Sequence, residues 1–382
     1  MKITDLKCFV VGNPWKNWVL VKLDTDEGIT GWGDATQGLA TKPVVGAVQE
    51  FRRFCIGRDP LQIERLWEDM FTALYLTANG SYLSAMAGIE TACWDVLGKS
   101  LGVPLHQLLG GKVRPAIKAY ANGWYSGPRD VGSYAESAAQ VVEMGYRALK
   151  FDPFGAAYRI MEPAERRLSL DLIKSVRNAV GDDVDIILEF HDRMTVPEAI
   201  RTVGEVAEFQ PLWIEAPVWS IDVGAMISVA EATTLRITGG EQFTTLRQFA
   251  DLFACGRFDL VLPEYVELGG IHRLRQAASI AEAYQGMIAP HNARCPLSTA
   301  VNVHVDVATR NALIQETFDD FYPPWMRELF QGLPRIVNGT LEVSDAPGIG
   351  VTINEALLGD HPYGENNFMN LFRSGWEQRF TR

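Results

Sequence analysis

From residue 116 to about 317, short apolar runs alternate with longer amphipathic stretches. The runs are IKAYANGW (117–124), RALKFDPFG (147–155), VDIILEF (184–190), LWIEAP (212–217), RITGGEQ (236–242), FDLVLPE (258–264), GMIAPHN (286–292) and ALIQET (312–317). Each has the length of a strand buried on both faces, and turn residues and helix-start signals separate one from the next. Thr195 ahead of Pro197 and Glu198, and Thr244 ahead of LRQFADLF, are two such starts, and 163–180 reads as a helix. Eight strands with helices between them predict an α/β chain closing a parallel (β/α)8 barrel of the TIM type, with its chemistry at the C-terminal rim. Residues 1–112 follow another pattern. ITDLKCFVVG and NWVLVKLDT read as strands, and DEGITGWGDAT as a turn with a short strand. Apolar positions at helical spacing predict a helix from Leu83 to Lys99, stopped by Gly102 and Pro104. Strands followed by helices make a separate α+β domain, linked through LLGGKVRP (108–115) to a barrel over 113–320. Residues 321–382, rich in Pro, Gly and aromatics, are expected to return to the first domain.

Three of the runs carry the chain to a carboxylate at equal intervals. Glu189, Glu215 and Glu241 lie 26 residues apart, the size of one strand–helix unit. A lone glutamate at a strand end is ordinarily solvated, but three on one rim make an oxygen site for a hard divalent cation, Mg2+. The other strand ends add Lys150, Asp152, His191, Glu264, His291 and Glu316, with Asn122, Trp124 or Tyr125 from the first strand. Glu264 can hold one nitrogen of His291 and leave the other to take a proton next to a substrate carboxylate. Glu316 is then either a protonated donor to the enediolate or a solvated acid. His191 stands two residues past the first metal carboxylate, on its face if strand alternation holds. It can protonate a departing hydroxyl or serve as an outer partner of the metal ligands. Lys150 can orient a substrate carboxylate or pair with a metal ligand, and Asp152 can bind a substrate hydroxyl.

Bulk properties narrow the class. The chain is 47% hydrophobic and 21% charged, as an ordinary globular protein is, and its net charge of −12 argues against a nucleic-acid partner. A bound cation can still reverse the local field for an anionic substrate. No apolar run reaches the roughly 18 residues of a membrane span, and the N-terminus does not read as a signal peptide. Five scattered cysteines without metal-ligand spacing fit buried thiols in a reducing compartment, so a cytoplasmic location is expected.

The rim resembles that of the enolase superfamily, in its mandelate racemase-like branch. DEGITGWGDAT and AMAGIETACWDVLGKSLGVPLHQLLGG are similar to the family's capping domain, WIEAP to its WIEEP motif, and TGGEQF to the third-ligand strand. Glu264 and His291 fall where the family carries an Asp–His dyad, with the acid one methylene longer, and Glu316 where it carries the enediolate donor. The second strand reads Lys150-Phe151-Asp152, without the family's second lysine. EFH, with a histidine two residues after the first ligand, resembles the D-galactonate dehydratase type of acid-sugar dehydratase. The resemblance implies Mg2+ at Glu189, Glu215 and Glu241, a sugar-acid substrate, a 2-keto-3-deoxy product and a homo-oligomer, for which Trp325 is a contact candidate. Specificity is then expected from Trp15 in the 13–17 loop, from Tyr82 in the 79–82 segment, and from Arg294 in HNARCPLS. No lysine follows Lys174, which excludes a pair of lysine bases on opposite barrel faces. Racemisation or epimerisation of a hydroxy acid at the same site, and a non-catalytic metal- or ligand-binding role, are the alternatives.

Overall fold

A computed structural model describes residues 1–378. The N-terminal part opens with an antiparallel sheet of β1 (Ile3–Asn13), β2 (Lys16–Thr25) and β3 (Thr30–Asp34). Helices Thr41–Cys55, Ile63–Ala73 and Gly80–Leu101 follow, the last wrapping the predicted 83–99 core and ending at left-handed Gly102. That helix lies hard against β3. A Cβ on Gly31 or Gly33 would strike the carbonyl oxygens of Ala92 and Gly88, so the GxG of GITGWGD sets the distance between the layers.

The predicted eight barrel strands all form. They are β4 (Ala116–Ala121), β5 (Ala148–Phe151), β6 (Asp185–Glu189), β7 (Trp213–Glu215), β8 (Ile237–Thr238), β9 (Leu260–Val261), β10 (Met287–Ile288) and β11 (Gln315–Thr317). Parallel pairing runs β4 through β8 in order, joins β9 to β10, and returns β11 to β4. Hydrogen bonds span the remaining gaps, among them Leu262 N–H to the Gly239 carbonyl (2.9 Å) and Leu313 N–H to that of Ile288 (2.8 Å). The ring is therefore hydrogen-bonded all the way round. Between strands, the helix after β6 starts at Thr195 as expected. The helix after β8 is capped by Thr245, one residue later than predicted, through a capping box with Gln248.

Strand alternation now sets up the site. One apolar layer, formed by Tyr120, Ala148, Ile187, Trp213, Leu262, Ala289 and Ile314, fills the barrel interior. The intervening Leu149, Phe151, Leu188, Ile214, Val261 and Ile288 face the helices. Two residues beyond that interior layer come Asn122, Lys150, Glu189, Glu215, Glu264, His291 and Glu316. The period-2 geometry of a strand lifts all seven onto the same end of the barrel.

The chain after β11 serves both parts. It forms β12 (Phe330–Gln331), the hairpin β13 (Ile336–Val337) and β14 (Thr340–Glu342), and β15 (Thr352–Ile353). β14 pairs antiparallel with the start of β4, so this stretch first closes on the barrel. It then reaches the N-terminal sheet, where Gly12 N–H donates to the His361 carbonyl (2.7 Å) and Asn17 Nδ2 to that of Gly364 (2.8 Å). Trp325 is not an exposed contact residue, because it stacks on His361 and meets Trp18. Exposed aromatics lie elsewhere, at Tyr75 and Trp219. None of the five cysteines forms a disulfide, and three are fully buried. Among the described residues no helix is long and apolar enough to cross a membrane.

Candidate active site

At the C-terminal ends of β6, β7 and just past β8, one carboxylate oxygen each from Glu189, Glu215 and Glu241 lies within 4.8 Å of the others. Glu189 and Glu215 are buried. Lys150 on β5 sits among them, 3.2 Å from Glu189 Oε2, 2.6 Å from Glu215 Oε1 and 2.8 Å from Glu316 Oε1. The pairing alternative for Lys150 is thus the one seen. One ammonium does not balance so much buried negative charge. Burial pushes the Glu189 carboxyl up to about 7 against the pull of Lys150, and that of Glu215 goes well above the usual range through burial and the neighbouring Glu189. A cluster of hard oxygen donors with uncompensated charge is the environment a divalent cation relieves.

His291 stands between two acids. Its Nδ1 is 3.0 Å from Glu264 Oε2 and its Nε2 is 2.9 Å from Glu241 Oε2. Burial opposes its protonation, but Glu241 and Glu316 win and hold the imidazole well above its ordinary pKa. Glu264 is fully buried and accepts from Arg294 Nε (3.1 Å) and Val266 N–H (3.2 Å) as well. Burial would raise it, yet the Arg294 guanidinium and His291 keep it ionised. Glutamate's extra methylene still brings the carboxylate to the imidazole.

His191 arrives differently from the expectation. β6 ends at Glu189, and both His191 (φ 49°) and Asp192 (φ 58°) adopt left-handed backbone, so a turn and not strand alternation aims the ring. His191 N–H donates to Glu189 Oε1 (2.8 Å), and Asp192 N–H to the Ala216 carbonyl (2.8 Å). The His191 Nδ1 then meets Asp152 Oδ2 at 2.6 Å. Asp152 is fully buried and also pairs with Arg193, so it holds His191 and is not open to a substrate hydroxyl. Burial opposes its ionisation, but Arg193 and His191 depress its pKa. The edge of Trp376 lies against the His191 ring, with the indole N–H on the Gly155 carbonyl (3.0 Å).

The remaining candidates divide. Glu316 is not a solvated acid. It is fully buried and accepts from Asn122 Nδ2, Lys150 and Asn292 N–H, each at 2.8 Å; burial is outweighed by Lys150 and His291, which lower its pKa. Arg294 reaches the site only through Glu264; its other partners are Glu267 and the Thr36 carbonyl. Tyr125 packs with Trp124, Tyr134 and Phe151, and also meets Trp376. Left-handed Gly123 (φ 87°) turns the chain after Asn122. Tyr82 packs on Phe51 inside the N-terminal domain, and Trp15 docks on Phe318 and Tyr322 beyond β11. Lys16, beside Trp15, was not singled out from the sequence, and its ammonium donates to the Ala293 carbonyl. Burial and the nearby Arg294 lower its pKa to about 7, against Glu264, Asp34 and Glu241. A cavity of about 560 Å3 is lined by Gly12, Trp15, Asn367, Phe368, Arg373 and Trp376 among others, and by none of the three carboxylates.

Comparison with known proteins places the chain in a family. The enolase C-terminal domain-like family matches residues 133–357, and the mandelate racemase/muconate lactonizing enzyme N-terminal domain matches 11–110. The chain belongs to the mandelate racemase/muconate lactonizing enzyme family. Within that family it is similar to the D-gluconate/D-galactonate dehydratase of Picrophilus torridus, 31% identical over 95% of this chain and 93% of the relative. The D-galactonate dehydratase of Xanthomonas oryzae pv. oryzae is 33% identical over 94% of both chains. Among solved structures, a mandelate racemase/muconate lactonizing enzyme-like protein from Roseovarius sp. TM1035 is 32% identical and superposes with a TM-score of 0.88, covering 95% of this chain and 96% of that one. A member of the enolase superfamily from Salmonella Typhimurium gives a TM-score of 0.89 at 29% identity, over 94% and 98%. These family members extend the likeness across both parts of the chain.

Proposed function

We propose that this family member is a carbon–oxygen lyase that dehydrates a sugar acid to a 2-keto-3-deoxy acid. The observation that carries the reading is a pair of imidazoles flanking the glutamate trio, each held at Nδ1 by a buried carboxylate: His291 by Glu264 and His191 by Asp152. The names of the dehydratase relatives support the reaction class. Glu189, Glu215 and Glu241 would hold Mg2+, which supplies positive charge for the substrate carboxylate and for the enediolate that develops from it.

His291 removes the C2 proton through Nε2, with Glu264 keeping the ring's tautomer and aim. For that, Glu241 must be drawn off Nε2, because in the geometry seen here it holds the imidazole protonated. Lys150 keeps its ammonium on Glu189, Glu215 and Glu316, and Asn122 and Asn292 hold Glu316 in place. His191 then donates its proton to the C3 hydroxyl as the C3–O bond breaks, releasing water. The enol left behind becomes the 2-keto-3-deoxy acid.

One observation favours a second reading. The two carboxylate–imidazole pairs are chemically alike, as the two bases of a C2 epimerase would be. A panel of mono- and di-acid sugars incubated with the Mg2+-loaded enzyme separates the two. Dehydration predicts a keto acid that reacts with semicarbazide, lost in His291→Asn with metal binding kept. Solvent deuterium at C2 of recovered substrate, in the wild type and without keto product, would instead establish epimerisation. No keto product and no exchange from any acid would sink the proposal.

A further inference from the structure

Lys16 sits at the tip of the β1–β2 hairpin, paired across the turn with Asn13. Three contacts fix where its side chain starts: the hairpin ladder, the Trp15 anchor on Phe318 and Tyr322, and a bridge to Phe368 of the C-terminal segment. From there it crosses from the N-terminal domain to the barrel and meets the Ala293 carbonyl. Ala293 belongs to the loop after β10, and its neighbours all serve the site. His291 faces Glu241 and Glu264, Asn292 N–H caps Glu316, and Arg294 grips Glu264.

Charge accounting singles Lys16 out. Lys150 is matched by three glutamates, Arg193 by Asp152, and Arg294 by Glu264 and Glu267. Among the described residues no carboxylate forms an ion pair with Lys16, although it is only partly exposed to water. An ammonium carries three donors. Among the described residues it meets one carbonyl and the face of the Trp15 ring, 5.0 Å away. A partly desolvated cation with spare donors is costly unless an anion completes it.

We infer that Lys16 receives a second carboxylate, at the end of the substrate remote from the Glu189–Glu215–Glu241 cluster, so that the enzyme prefers an aldaric acid to the aldonic acid of the same configuration. The inference rests on the sugar-acid reading above and names its substrate class. A terminal hydroxyl in place of the carboxylate would leave the ammonium's charge uncompensated. A carboxylate would also keep the lysine protonated in a setting where burial works against it.

The test uses the full-length Mg2+-loaded enzyme with hexaric acids and the hexonic acids that match them, followed by turnover and by calorimetric binding. The inference predicts that the wild type favours the diacid, and that Lys16→Gln lowers the diacid-to-monoacid ratio of kcat/KM at least tenfold. Lys16→Arg should recover part of that ratio, which a merely structural role would not produce. Equal losses on both acids, an unmoved ratio, or stronger binding of a hexonate 6-phosphate than of the diacid would overturn it. If no acid is turned over but the diacid binds in a Lys16-dependent way, the inference stands and the dehydratase reading falls. If monoacids are dehydrated and the ratio ignores Lys16, the reverse holds. If no acid binds, both fall.

Discussion

Replacing Glu264 with Gln tests how the base is held. Three donors converge on this carboxylate: His291 Nδ1 at 3.0 Å, Arg294 Nε at 3.1 Å and Val266 N–H at 3.2 Å. An amide of the same shape has one acceptor oxygen. If that oxygen faces His291 and Arg294, its NH2 opposes the Val266 N–H; if it is flipped, the NH2 opposes the other two. A lost charge-assisted hydrogen bond is worth about 1.5–3 kcal/mol, which lowers kcat/KM by roughly 10- to 150-fold. The pH profile moves as well. His291 is held above its ordinary pKa by surrounding carboxylates, so removing one negative charge lowers that pKa and shifts the acid limb of kcat/KM to lower pH. Glu264→Asp keeps the charge but retracts it, so its plateau falls while its limb stays nearer the wild-type position. The assay is keto-acid formation across about pH 5–9, with melting curves to confirm that each variant folds. A Glu264→Gln plateau within about twofold of wild type and an unmoved limb would refute the orienting role.

Three further outcomes follow from the charges at the rim. With the Glu189 carboxyl pushed up to about 7 and that of Glu215 well above the usual carboxylate range, Mg2+ binding is expected to displace protons; affinity should rise with pH near neutrality, with proton release on calorimetry in buffers of different ionisation heat, and a flat affinity would contradict this. Lys150→Met leaves three buried glutamates without their shared ammonium and should cost about 3–5 kcal/mol of stability in the metal-free protein; Mg2+ should restore more of the melting temperature than in wild type, and equal shifts would count against it. Asp152→Asn weakens the hold on His191 and on Arg193, so kcat should drop about 10- to 100-fold with Mg2+ affinity retained, and a variant with full kcat would remove His191 from the reaction.

Much of this geometry was legible in the chain because it follows from periodicity. Glu189, Glu215 and Glu241 recur with the strand–helix unit, and the step of two from Ile187 to Glu189 or from Ala289 to His291 is fixed by the pleat. What escaped does not obey a period. The left-handed turn at His191 and Asp192 breaks the alternation that seemed to place the imidazole. Left-handed Gly123 is the same kind of local reversal, between Asn122 and Tyr125. The sequence leaves Asp152 open to a substrate hydroxyl and Glu316 as either an enediolate donor or a solvated acid, because their partners Arg193 and Asn292 lie in loops whose paths only tertiary packing decides. Lys16 has no local signature at all: it is one lysine at a hairpin tip, and its target is 277 residues away. The contact of Trp376 with His191 likewise comes from a segment whose Pro, Gly and aromatic composition shows only irregular chain.

The division of labour between the two imidazoles is the central claim, and exchange of the C2 proton in D2O tests it most directly. His191→Asn should take deuterium into C2 of recovered sugar acid while forming no keto product, and His291→Asn should show neither exchange nor product. Exchange that persists without His291, or that vanishes without His191, would contradict the assignment of base and acid.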